Sequence, residues 1–143
     1  MALKVPAQEM EAFLDEVFPQ VKGMFGIDQL DDNLLVMRLH ASDQHLRPGG
    51  TVSGPAMFSL ADVAAYVATM ARIGKEALAV TTNCSIDFMR KPVAGADVLA
   101  HAKVLKLGRA LSVTDVLLYS DGMPDPVARA TLTYSIPPKR TAG

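Results

Sequence analysis

The stretch from Ser53 to Arg72 constrains this chain more than any other. It reads Ser-Gly-Pro-Ala-Met-Phe-Ser-Leu-Ala-Asp-Val-Ala-Ala-Tyr-Val-Ala-Thr-Met-Ala-Arg. Between Ala56 and Met70 the only charged residue is Asp62, and apolar or small residues occupy every face of a helix drawn through it. Such a helix has no side to turn toward water and must be wrapped by other structure. Its alanines favour helix and let neighbouring backbone approach closely. Ser53 or Gly54 can act as N-cap, and Pro55 suits the first turn, where its missing N–H removes no bond. The lone carboxylate is what the rest of the chain must explain.

The flanking segments supply the wrapping. Pro6 to Lys22 carries Met10, Phe13, Leu14, Val17, Phe18 and Val21 on one helical stripe, with Pro19 interrupting the last turn and Gly23 ending it. Met24 to Leu30 and Leu34 to His40 read as a hairpin around Asp31-Asp32-Asn33. Ala41 to Thr51 has loop composition and leads into the central helix, which is expected over Pro55 to Ile73. Beyond Gly74 the chain is strand-like almost to its end. Val80, Thr82, Cys84, Ile86 and Phe88 share one expected dry face, as do Val98, Ala100, Ala102 and Val104, and later Ala128, Ala130, Leu132, Tyr134 and Ile136. Gly108-Arg109 makes a tight turn, Ser120 to Pro124 another, and Pro137-Pro138 stops the last strand. The pattern is an α+β domain in which a curved antiparallel sheet closes around one apolar helix.

Composition excludes several classes of function. A net charge of −1 provides no global field for nucleic acid or an anionic membrane. One cysteine, Cys84, permits no intrachain disulfide and no cysteine-rich metal site; on the expected dry face it reads as a buried filler. No His, Asp and Glu spacing suggests a metal site. The first residues lack the apolar run of a signal peptide, and the central helix is short for a membrane span and interrupted by an acid, so a cytoplasmic protein is expected.

Three motifs then resemble the hotdog-fold thioesterases, in particular the PaaI-like acyl-CoA thioesterases of phenylacetate degradation. They are Gly49-Gly-Thr-Val-Ser-Gly-Pro-Ala-Met-Phe-Ser-Leu-Ala-Asp62, then Val80-Thr-Thr82 running on to Ile86-Asp-Phe-Met-Arg-Lys-Pro92, and Gly108-Arg109 at a hairpin. The family usually opens its helix with His-Gly-Gly. Here Ser53, Gly54 and Pro55 occupy those positions, so only the first glycine is kept. An Asn the family tends to carry before the loop glycine is absent, Leu46 or Arg47 standing in its place.

The resemblance implies a single hotdog domain over 1–143, with an N-terminal helix at about 7–22, a core at about 24–136 and a tail at 137–143. It implies hydrolysis of the CoA thioester of an acyl or aryl acid, with no cofactor beyond the coenzyme A of the substrate and no metal. Non-catalytic binding of an acyl ligand is the alternative. Asp62 becomes the general base or nucleophile, and the Gly54 amide polarises the thioester carbonyl at the helix N-terminus, where free N–H groups and the dipole favour negative charge. Arg47, Arg90, Lys91, Gly108 and Arg109 are placed to hold coenzyme A, since Arg and Lys pair well with phosphate. His45 lies near enough to contact substrate, Asn83 could line its tunnel, and Ser53 caps the helix or orients substrate. Homodimers with edge-to-edge sheets and active sites at the interface, often paired into tetramers, complete the expectation.

Overall fold

The structure is a computed structural model describing residues 2–138. Of the expected tail, positions 139–143 lie outside the described residues. The N-terminal helix α1 spans Ala7–Val17. Phe18 leaves helical geometry, and Pro19–Val21 form a single 3₁₀ turn, so the stripe expected as one helix is broken at Pro19. The hairpin strands β1 (Phe25–Leu30) and β2 (Leu35–Leu39) precede the central helix α2 (Gly54–Ile73), and β3 (Val80–Phe88), β4 (Val98–Leu107), β5 (Leu111–Ser120) and β6 (Pro126–Ser135) follow it.

The strands form one antiparallel sheet in the order β1-β2-β4-β5-β6-β3. The hairpins β4–β5 and β5–β6 are local, whereas β3 crosses over to the far edge beside β6. This is the hotdog arrangement, a curved sheet wrapped around α2. Fourteen residues of α2 are buried, and Leu60, Ala61, Ala64, Ala65, Val67, Met70 and Ala71 have no measurable exposure. The same helix is long and apolar enough to cross a membrane, but 78% of its most apolar window is buried inside the fold, the environment of a core helix.

Enclosure fails along one stripe. Pro55 and Phe58 are exposed and Ser59 and Asp62 half-buried, positions that recur at helical spacing on one face of the N-terminal half. Phe58 is 39% exposed there.

Strand β3 corrects the expected alternation. Its pairing with β6 slips between Thr81 and Asn83, the signature of a β-bulge. Before the bulge it is Thr81, not Thr82, that turns toward the helix; beyond it Cys84 and Ile86 pack on the core. Val80 and Phe88, expected on the dry side, are 56% and 51% exposed. Cys84 is half-buried rather than a core filler.

One polar cluster ties the hairpins together outside the core. Arg38 on β2 donates to Asp28 (2.8 Å), Asp97 (3.0 Å) and Asp121 (2.7 Å), joining β1, the start of β4 and the β5–β6 turn. Burial pushes the Asp97 carboxyl up, but the Ala41 N–H and Arg38 outweigh it and hold it below the usual carboxylate range. A lowered folded value stabilises the fold above the unfolded pKa and loses that contribution as pH falls through the folded one. Replacing Arg38 with Met leaves three carboxylates facing one another in a partly exposed, salt-screened setting. It should lower unfolding free energy by about 1–2 kcal/mol at neutral pH. In urea titrations the gap from wild type should narrow below about pH 4, where the carboxylates protonate; a gap independent of pH would show that Arg38 acts by packing alone.

Candidate active site

Asp62 projects from the uncovered stripe of α2, two turns into the helix, and two hydroxyls hold it. Thr81 on β3 donates to its Oδ1 at 2.5 Å, and Tyr134 on β6 donates to the same oxygen at 2.8 Å and to the Asp62 carbonyl at 3.0 Å. Oδ2 accepts no hydrogen bond among the described residues. Each donor is set by its strand. The bulge turns Thr81 inward, and regular alternation along β6 delivers Tyr134 to the helix side.

The surroundings keep these donors protonated. Burial, followed by the negative charge of Asp62, raises the Tyr134 hydroxyl well above the ordinary tyrosine range. Burial and then the Asp62 charge also raise the Cys84 thiol, which disfavours the reactive thiolate. The Tyr134 ring stacks on Tyr66 with centroids 5.8 Å apart, and Tyr66 is anchored by donating to the Ala77 carbonyl at 2.7 Å. Tyr66, Tyr134, Phe18, Val80 and Thr81 line a pocket of about 270 Å³. An apolar, aromatic pocket thus adjoins the two hydroxyls that hold the carboxylate.

Several of the other predicted residues gather at the start of α2. Ser53 is the N-cap, its hydroxyl accepting the Ala56 N–H at 3.3 Å. Gly54 begins the helix. Its N–H precedes the first intrahelical bond, from Met57 N–H to the Ser53 carbonyl. A side chain at 54 would meet the Phe88 ring at 3.5 Å, an ordinary contact, so the fold does not demand glycine there. Arg47, Gly54, Phe88, Arg90 and Lys91 share the walls of a pocket of about 320 Å³. Three cations therefore surround the helix N-terminus.

His45 is buried in a 3₁₀ turn. Its Nδ1 accepts the Ser42 N–H at 3.1 Å, its Nε2 is buried with no hydrogen-bond partner among the described residues, and its carbonyl accepts the Ser53 N–H at 2.8 Å. It lines a shallow pocket of about 270 Å³ with Ser53 and Ser59.

Other residues stand apart. Asn83 lies just past the bulge, exposed on the outer face of β3, and does not join the Asp62 group within this chain. Gly108 and Arg109 line a different cavity, at the opposite end of α2 from Gly54. Sequence reasoning missed Tyr134 as a ligand of Asp62 because its place on a dry strand face reads as core. Thr81 was visible only as part of a motif, and its phase depends on the bulge.

The chain belongs to the thioesterase superfamily. The family's profile matches residues 49–127, more than half of the chain. The chain is similar to the crystal structure of a "putative thioesterase" from a Silicibacter species, at 58% identity over 96% of both chains with a TM-score of 0.91. It is also similar to zebrafish thioesterase superfamily member 2, at 25% identity over 96% of this chain and 99% of that one, TM-score 0.77. The Escherichia coli PaaI protein from the phenylacetic acid degradation operon is 25% identical over 91% of this chain and 92% of its own, TM-score 0.74. No curated protein matches the chain.

Tyr134→Phe keeps the stacked ring and removes the hydroxyl whose single proton is shared between the Asp62 Oδ1 and carbonyl oxygens. Chemical denaturation should show a loss of about 1–3 kcal/mol, the consequence of leaving buried acceptors short of a donor. Unchanged stability would mean that water replaces the hydroxyl without loss.

Proposed function

We propose that this protein is an acyl-CoA thioesterase, hydrolysing the CoA thioester of an acyl or aryl acid to the free acid and coenzyme A. The observation that carries this reading is Asp62, one carboxylate on an uncovered stripe of an apolar helix, held through Oδ1 by two hydroxyls that line an aromatic pocket, with Oδ2 accepting no hydrogen bond among the described residues.

The reaction follows from that geometry. Oδ2 takes a proton from water, the water oxygen adds to the thioester carbonyl carbon, and the resulting oxyanion collapses to expel the CoA thiolate, which takes back the proton Asp62 holds and so restores the carboxylate. An oxyanion needs fixed donors, and the Gly54 N–H at the helix N-terminus is the candidate. Eight residues of helix separate Gly54 from Asp62, roughly 12 Å along the axis. That separation within one helix supports what the family resemblance implies, a site in which Asp62 of one subunit works opposite the Gly54 amide of a second. Strand β3 suits such a pairing, being an edge strand nine residues long with Val80 and Phe88 exposed, an edge that a partner strand would protect. A homodimer, or a tetramer of two dimers, is therefore the working assembly, and a cytoplasmic location fits a CoA-linked substrate. Arg47, Arg90 and Lys91 around the helix N-terminus would hold the coenzyme A phosphates.

A non-catalytic acyl-binding module is favoured by two departures from the family, Ser53-Gly54-Pro55 in place of His-Gly-Gly and Leu46 or Arg47 in place of the Asn before the loop glycine.

Asp62→Asn separates the two. It keeps the size of the side chain and removes the base, so kcat for the best thioester should fall by about 100- to 10,000-fold with KM little changed. Sedimentation must show the variant still assembled. A wild-type rate from an assembled variant would assign Asp62 to structure and the protein to the binding class. Arg90→Ala should raise KM for acyl-CoA while leaving a truncated thioester without the nucleotide unaffected; equal effects on both would mean that Arg90, which pairs with Asp125 at 3.6 Å, is structural.

A further inference from the structure

Arg72 lies at the other end of α2, and its side chain is buried without a carboxylate partner. The residue is 4% exposed. Its Nη1 donates to the Ala68 carbonyl at 3.2 Å, and its Nη2 to the carbonyls of Asp31 at 3.2 Å and Asp32 at 3.1 Å. Every acceptor is neutral. Among the described residues no carboxylate oxygen stands within ion-pair distance, and Nε is buried with no hydrogen bond. Burial lowers the guanidinium's proton affinity and the charges of Asp32 and Asp31 oppose it, yet arginine stays charged in proteins. A buried cation short of a counter-charge costs several kcal/mol, and an anion brought beside it recovers part of that.

A space for such an anion adjoins it. Arg72 forms part of the wall of a partly open cavity of about 720 Å³, within the size range of small-molecule sites. Lys4 and Arg109 line the same cavity, both exposed and both without an ion pair among the described residues. Among the described residues no acidic side chain lines it; Asp31 and Asp32 bond Arg72 through their backbone carbonyls, and their carboxylates act on it only from beyond ion-pair distance. Ile73, Leu107 and Ile136 give it an apolar wall. Arg72 is ten residues beyond Asp62, roughly 15 Å along the helix, and about 27 Å from Gly54.

We propose that this cavity is a second ligand site, one that binds an amphipathic carboxylate, with the headgroup on Arg72, Arg109 and Lys4 and the hydrocarbon on Ile73, Leu107 and Ile136. The combination selects the class. A bare inorganic anion leaves the apolar wall wet, and a neutral lipid leaves the cations unmatched. A planar carboxylate pairs well with a guanidinium, and a chain covers the remaining wall. The proposal goes beyond the thioesterase reading and does not depend on it, since binding is measured with no thioester present.

The test is calorimetric titration of the full-length protein with decanoate, 1-decanol and sulfate. Decanoate should bind with Kd below about 1 mM, and decanol and sulfate at least about tenfold more weakly. Arg109→Glu changes an exposed hairpin side chain and should weaken decanoate about tenfold or more. Arg72→Met should abolish binding; because Arg72 also holds the β1–β2 turn, circular dichroism checks its folding, and if it does not fold the Arg109→Glu result decides. Equal decanoate affinity in wild type and Arg109→Glu would place the acid elsewhere, in the aromatic pocket beside Asp62 for example, and overturn the proposal. Absence of heat up to about 1 mM, or decanol binding as tightly as decanoate, would overturn it as well.

Discussion

A helix without a polar face dictates this fold. Because α2 has nothing to offer water, each neighbour must bring apolar surface to it, and five of the six strands do. Its alanines hold the distance short: Ala61, Ala64, Ala65, Ala68 and Ala71 let the sheet approach where larger side chains would hold it away. Some polar groups that enter this contact are paired, as where Thr69 on the helix donates to Ser112 on β5 at 2.9 Å, whereas the buried Thr114 hydroxyl on the same strand has no partner among the described residues. Against such a background a carboxylate is conspicuous, and the chain supports it with two hydroxyls rather than a cation. Neutral donors hold the side chain in place without setting a second charge beside it.

The charge layout follows the helix. Its N-terminus, where backbone N–H groups lack partners, is flanked by Arg47, Arg90 and Lys91. Its C-terminal turn carries Arg72, which complements the dipole and caps carbonyls of both the helix and the β1–β2 turn. With a net charge of only −1, the protein reaches these local concentrations of positive charge by grouping acids elsewhere, as around Arg38.

Most of the architecture was legible because its signals were local. The all-apolar helix, the alternation of β4 and β6 and the turn at Gly108 each announce themselves within a dozen residues, and the burial of Val98, Ala100, Ala102 and Val104 agrees. Asp62 stood out for the same reason. What escaped were facts that depend on two segments at once. The bulge in β3 is a mismatch with β6, so no periodicity within β3 alone reveals it, and the phase of Thr81 was misread with it. Tyr134 is 72 residues from its acceptor. Arg72 reads as an ordinary basic residue closing a helix until the β1–β2 turn and the β4–β5 hairpin are set around it.

The bulge in β3 also divides the strand into two mechanically separate halves. On one side, Val80 and Thr81 answer to the helix and the aromatic pocket; on the other, the run from Asn83 to Phe88 keeps regular pairing with β6 and runs out toward Gly54. A bulge takes up a shift of one residue locally, so the phase of Thr81 is set apart from the alternation of the far half of this outer strand. The exposed far half can therefore drift in sequence while the hydroxyl that holds Asp62 keeps its inward phase. The irregularity that defeats a simple reading of the strand insulates its most demanding contact from its most exposed one.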